Sequence, residues 1–380
     1  MAAELSHHDW LMKTQHPFRF ILELFKRDGS ALGQLPVVAD WEPAVEAVRF
    51  AAHRQLGLDA IGADAVVEFH PAWHPTLGEP YLKSFEAVLT LRCARRVTCQ
   101  VPTAFFKAFA TAASAAMVSR GLLQPGELFE YLVAAFRAPS WSSAVEPHDR
   151  FAIEEVPVPL AVKPAMLGEF LSRSVECGAT DPEDIRVFIP QEVLAEVEML
   201  TRQAPAIEVA SVLIGHLHRD QASTDVFLEV TAQIPARNSQ GTALKVTFGP
   251  DTFHAVQTAI ALRRAEEQWI GWAHSHPAAS AWCNPKCSPE ARAQCPLQRV
   301  FFSADDCDVH RTLFSKAFSI ALLITNTDAG LVPALFSWRN GIIVQRGFNM
   351  LGQSQVIHPT TTAVAVATIG DNENEKLCST

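Results

Sequence analysis

The amino-acid sequence predicts an α+β protein built from two units, and three observations carry that expectation. Segments with helical apolar spacing alternate with short strand-like runs along most of the chain. A stretch rich in Pro and Ser, residues 138–164, interrupts them. The chain has 380 residues, more than one average domain. Residues 1–150 are expected to form an N-terminal α+β domain, and residues 151–184 a linker with a bridging helix. Residues 185–350 are expected to hold a mixed sheet flanked by helices, and residues 351–380 a disordered tail.

Each element follows from local pattern. "FRFILELFKRDG", from Phe18, reads as a strand ending in a turn, and "WEPAVEAVRFAAHRQLG" as a helix stopped at Gly57. "AVVEFHP" and "FEAVLTLRC" are strand-like, and "RRVTCQVP" completes a hairpin with the latter. A helix over "TAFFKAFATAASAAMVSRGLL" is expected to start at Thr103 as N-cap, with its phenylalanines in the core. "PGELFEYLVAAFRAP" reads as one more helix, and "AMLGEFLSRSV" as the bridging one. In the second unit "RVFIP" is a strand and "QEVLAEVEMLTRQ" a helix. "EVASVLIGHLH" and "VFLEVTAQIPA" form a hairpin, and "KVTFG" is a short strand. "DTFHAVQTAIALRRA" is a helix that Asp251 can cap. "QWIGWAH" is a strand, a helix starts near Ser303, and "FSIALLIT" and "LVPALFSW" are strands.

Composition narrows the function. Apolar residues make up 48% and charged residues 19%, as in a globular chain with a core. A net charge of −10 argues against nucleic-acid partners, because phosphate contacts need concentrated Lys and Arg. No signal peptide or membrane-spanning stretch is visible, so a cytoplasmic location without membrane partners is expected. Disulfides are then unexpected for the eight cysteines. Four of them, Cys283, Cys287, Cys295 and Cys307, crowd one window, which points to metal more than to bridges. No Gly-rich phosphate loop is present, and no cysteine has a nucleophile's surroundings.

The run "WIGWAHSHP" carries the sharpest chemistry. Alternation puts His274 and His276 on one strand face, and Pro277 ends the strand just after them. Alone, the pair reads equally well as two surface histidines. "GHLH" supplies a second such pair, His216 and His218, with no carboxylate close by in sequence, and these read as ordinary strand residues. The first pair has company: "FFSADDCDVH" offers Ser303 and, three residues on, Asp306, neighbours on a helix. A catalytic zinc takes three protein ligands and leaves one position open. Glu208 opens an apolar strand, where a carboxylate is either exposed at the strand end or functional. "FHPAWHP", with His70 and His74, has prolines after both histidines and is not one helical face.

Taken in order, Glu208, Gly215, His274-Ser275-His276-Pro277 and Ser303-x-x-Asp306 resemble the signature of the JAMM (JAB/MPN+) metalloproteases, over under half of the chain. The resemblance implies an MPN/JAB-like fold for residues 185–350. It implies a catalytic Zn2+ held by His274, His276 and Asp306, with Glu208 as general base and Ser303 as the donor to an oxyanion. Asp305 competes with Asp306 as ligand, and the Ser-x-x-Asp spacing favours Asp306. The implied activity is hydrolysis after the C-terminal glycine of a ubiquitin-like protein, in deconjugation or precursor processing. The implied setting is a bacterial system with activating (E1-like) and conjugating (E2-like) proteins. The N-terminal domain would then recognise the ubiquitin-like protein or one of those partners. A peptidase for a sulfur-carrier protein and a non-catalytic MPN scaffold are the alternative readings. Two departures stand out. Ser211 replaces a Gly common in the family, and the segment from His276 to Ser303 is longer than usual. That extra loop holds Cys283, Cys287 and Cys295, which with Cys307 are candidate ligands for a second, structural Zn2+.

Overall fold

A computed structural model describes residues 14–15, 18–57, 61, 65–91, 95–124, 126–137, 160–223, 225–236, 248–278, 288, 290 and 299–352. The class is α+β, with helices packed on large mixed sheets. The first sheet is built from β1 (Thr14–Gln15), β2 (Phe18–Lys26), β3 (Ala31–Val37), β4 (Val66–His74), β5 (Gly78–Thr90), β6 (Arg96–Pro102) and β7 (Phe129–Arg137). Its order is β1-β4-β5-β7-β2-β3, with β6 on β5. α1 (Glu42–Leu56) and α2 (Lys107–Ser119) pack with it. Trp41, Phe20, Phe69, Phe85, Phe105 and Phe106 form one aromatic core, with Trp41 and Phe105 stacked 5.7 Å apart.

Two expectations for this unit change. Residues 129–137 are strand β7, not a helix, because they pair with β2 over nine positions. Leu, Glu and Ala give the segment helical propensity, and the sheet overrides it. Thr103 does not cap α2; a 3-10 turn over Thr103–Phe106 comes first, and Phe106 holds the N-cap position. Strand β3 carried no clear pattern in the sequence.

The second sheet has ten strands among the described residues, ordered β16-β15-β14-β13-β11-β12-β10-β17-β9, with β8 on β11. They are β8 (Val162–Ala165), β9 (Ser174–Cys177), β10 (Arg186–Pro190), β11 (Ala210–Asp220), β12 (Val226–Pro235), β13 (Gln268–His276), β14 (Ile320–Thr327), β15 (Gly330–Arg339), β16 (Ile342–Arg346) and β17 (Phe348–Leu351). Helix α3 (Leu167–Ser172) lies between β8 and β9, and α4 (Gln191–Gln203) follows β10. α5 (Pro250–Arg263) and α6 (Ala304–Leu313) flank β13 in sequence. Val193, Leu194 and Val197 of α4 pack on one sheet face with Ile270 and Ala273. Val256 of α5 and Phe314 pack on the other face with Trp272 and Leu323. The central strands are therefore covered on both faces, which explains their nearly continuous apolar runs.

Residues 160–184, expected as a connection, contribute β8 and β9 to this sheet. Asp251 lies inside the first turn of α5 and Gly249 occupies the N-cap. Most of "KVTFG", residues 245–247, lies outside the described residues, as do residues 353–380. No described helix is long and apolar enough to cross a membrane.

Candidate metal centre

β13 sits between an antiparallel neighbour, β11, and a parallel one, β14, so its end is held from both sides. Pairing persists to His274 (opposite Ala210) and His276 (opposite Thr325), just before Pro277. Trp272, His274 and His276 share a face, and the indole of Trp272 stacks on the His274 ring at 4.3 Å. Both histidines are buried.

α6 supplies the third donor. Ser303 is its N-cap: Ser303 Oγ accepts the Asp306 N–H at 3.0 Å, and Asp306 Oδ2 accepts the Ser303 N–H at 2.8 Å. This capping box fixes the helix start and the Asp306 rotamer together. The carboxylate then faces the histidines, with His274 Nε2 3.2 Å from Oδ1 and His276 Nε2 3.4 Å from Oδ2. One donor atom from each residue lies within 4.8 Å of the others. Neighbouring ligand atoms around a tetrahedral zinc stand about 3.3 Å apart, given bonds of about 2.0–2.1 Å. The observed spacings match.

Electrostatics point the same way. Burial pulls the His274 pKa down, against the pull of Asp306, so its imidazole is neutral. Burial pushes the Asp306 carboxyl up, but the histidines and the Ser303 N–H outweigh it and hold it well below the usual carboxylate range. Neutral imidazole and ionised carboxylate are the states a metal requires. Both ring nitrogens of His274 are buried without a hydrogen-bond partner. Orphaned donors of this kind facing a carboxylate are satisfied by a cation. The residues present therefore fit a zinc-class ion.

Glu208 lies in the loop before β11 and is 7% exposed. Burial, then the charges of Asp306 and Asp305, push its carboxyl up to about 8. Ser275, the residue between the two histidines, holds the loop. Its Oγ accepts the Val209 N–H at 3.1 Å, and its N–H donates to the Val209 carbonyl at 3.0 Å. Ala278 N–H adds a bond to Pro205 O at 2.9 Å. The loop bearing Glu208 is thus stitched to the strand bearing the histidines.

Glu208, His274, His276, Ser303 and Asp306, each a candidate from the sequence, lie together. Asp305 is exposed, whereas Asp306 is buried. Gly215 sits at a β-bulge, where an added Cβ would stand 1.9 Å from Glu229 O. Ser211 is buried without displacing either neighbouring strand. Cys283, Cys287 and Cys295 lie outside the described residues. Cys307 is a half-buried free thiol whose pKa is raised by burial and by Asp306.

The roles of two residues, Ser275 and His310, are not assigned by the sequence. Ser275 was a polar residue in an apolar run, which is the signal that could have found it. His310 lies four residues after Asp306 on α6, hence on the same helical face. It is fully buried, its Nδ1 accepts the Trp272 Nε1–H at 3.1 Å, and burial lowers its pKa to about 3. His310 therefore orients Trp272, which supports the His274 ring. His216 and His218 lie on strand β11, as expected, and have a carboxylate neighbour that sequence proximity does not reveal, Glu229 across the hairpin.

No family model and no curated protein matches the chain. Among solved structures, the solution structure of a protein from Desulfitobacterium hafniense matches 46% of this chain and 97% of its own, at 17% identity and a TM-score of 0.29.

Proposed function

We propose that the chain is a zinc-dependent peptidase of the JAMM type, acting after the C-terminal glycine of a ubiquitin-like protein. The observation that supports it most is the convergence of His274 Nε2, His276 Nε2 and the Asp306 carboxylate beside a buried Glu208. The substrate class rests on the motif resemblance, as do the E1-like and E2-like partners.

The chain's own residues divide the work. His274, His276 and Asp306 would hold the ion, leaving one position for substrate or water. When bound, a zinc-class dication acidifies a water molecule, polarises a carbonyl and draws Glu208 back toward its carboxylate form. Glu208 takes up a proton from the attacking water and returns it to the leaving amine. Ser303 Oγ accepts from Asp306 N–H, so its own hydrogen is free to donate to a developing oxyanion. Trp272, Phe301 and Phe302 wall the histidines and limit water there.

The test is cleavage of an isopeptide-linked, Gly-terminated ubiquitin-like substrate by the zinc-loaded chain. Glu208→Gln is expected to keep the metal and lose about 10²–10⁴-fold in rate. His274→Ala is expected to lose both metal and activity. Metal bound with no hydrolysis of any Gly-terminated carrier would leave the scaffold reading instead.

A further inference from the structure

We propose that His216, His218 and Glu229 form a second site for a zinc-class divalent cation, separate from the His274 centre. His216 and Glu229 are directly paired across the β11–β12 hairpin, and His218 is two residues further along β11. Cross-strand partners and alternate residues share a face, so all three side chains meet on one side of the sheet. Glu229 Oε2 lies 2.8 Å from His218 Nε2 and 3.7 Å from His216 Nδ1. One donor atom from each residue falls within 4.8 Å of the others. The two carboxylate–imidazole spacings bracket the roughly 3.3 Å between ligands of a tetrahedral zinc.

The groups behind the donors bear on the ligating tautomer. His216 Nε2 lies 2.7 Å from the Ala265 carbonyl, an oxygen that can only accept. The carbonyl calls for a hydrogen on Nε2 and the Lys163 ammonium, 3.1 Å from the same nitrogen, for a lone pair; with the hydrogen on Nε2, Nδ1 turns its lone pair toward Glu229. A ligand imidazole whose second nitrogen donates to a backbone carbonyl is the usual outer-shell arrangement around a metal. His218 is 7% exposed and packs between Phe170 and Phe227, and its Nδ1 has no partner. Two imidazoles and one carboxylate favour zinc and its transition-metal neighbours over Mg2+ or Ca2+. The set leaves a fourth position open.

The site is distinct in place. Ala210 pairs with His274, and His216 lies six positions further along β11, roughly 20 Å away. It lies where β8 joins the sheet, since Lys163 pairs with His218. Lys163 Nζ donates to Ala265 O at 2.6 Å, is 3.1 Å from His216 Nε2, and is 3.5 Å from Glu266. Its charge opposes a dication, and Glu229 offsets it.

The test uses the full chain carrying His274→Ala and His276→Ala, stripped with chelator and titrated with Co2+. One equivalent is expected, with visible bands typical of nitrogen and oxygen ligands. The thiolate charge-transfer band of a cysteine site is expected to be absent from that equivalent. Glu229→Gln, which can still accept the His218 hydrogen bond, is expected to weaken binding by about tenfold or more. Lys163→Met is expected to tighten it several-fold, by about one unit charge removed from the site's surroundings. Absence of a nitrogen/oxygen-type cobalt site in the chain carrying His274→Ala and His276→Ala overturns the proposal, as does unchanged affinity when Glu229→Gln is added to that folded chain.

Discussion

Glu208 is a carboxyl group held where its charge is least favoured, against Asp306 and Asp305 and away from water. Its folded pKa of about 8 lies above the ordinary 4.5, so the folded chain holds this proton more tightly than the unfolded one. The penalty is absent below about pH 4.5, grows as pH rises, and is complete above about pH 8. The linkage is on the order of a few kcal/mol. Glu208→Gln is therefore expected to gain stability over the wild type as pH rises through this window. Denaturant unfolding of chelator-treated protein at several pH values measures the gap. Zinc should narrow it, because a nearby dication stabilises the carboxylate. A pH-independent difference between the two chains would refute this account.

Elements set the site by close backbone approach, and Gly271 is where that shows. A Cβ there would stand 2.1 Å from Ile320 O, a backbone atom of the neighbouring strand β14. Gly271→Ala would force β14 away from β13 three residues before His274. A loss of about 3 kcal/mol or more is expected, in the range of overpacked cores, together with weaker metal binding at the His274 centre. Gly168→Ala, in the open first turn of α3, is the control and should be neutral or slightly stabilising. Thermal unfolding and Co2+ titration of both variants decide it; equal behaviour would mean that β14 shifts at little cost. The parts of this element that sequence displays are local ones. Alternation gave the shared face of His274 and His276, Pro277 gave the strand end, and Ser303-x-x-Asp306 is itself a capping box. Glu229 was not legible, because its place beside His216 depends on hairpin register past a bulge at Ile214 and Gly215. Strand β7 was misread for the same reason: only pairing with β2 decides its state.

At the scale of the whole molecule, the two units meet around residues 183–184, a junction that sequence pattern read as part of a linker. Arg54 of α1 donates to Glu183 O at 2.9 Å, and Asn340 Nδ2 donates to Glu183 Oε2 at 3.2 Å. Cys99 of β6 reaches the same Asn340 at 3.3 Å. Apolar contacts reinforce the seam, with Phe50 against Phe318 and Ile342 packed on the core of the first sheet. Such contacts between residues far apart in sequence leave no periodic signal, so the joining of the units was not readable beforehand. Asp184 is the charged centre of this junction. Arg339 grips it with two bonds of 2.8 and 2.6 Å, and Arg346 Nε lies 3.6 Å away. Arg346 is 5% exposed, and burial brings its guanidinium down to about 10, so it depends on its counter-charge. Asp184→Asn removes that charge and keeps the shape, and is expected to cost about 3–5 kcal/mol. Burial raises the Asp184 carboxyl, but the arginines outweigh it and hold it below its ordinary 3.8. The wild type therefore keeps this stabilisation above about pH 4 and loses it as pH falls further. The variant has none to lose, so the two unfolding curves should converge in acid. Denaturant unfolding from neutral to acidic pH measures that convergence. A loss below about 1 kcal/mol at neutral pH would instead assign the seam to its apolar contacts, since exposed ion pairs contribute no more than that.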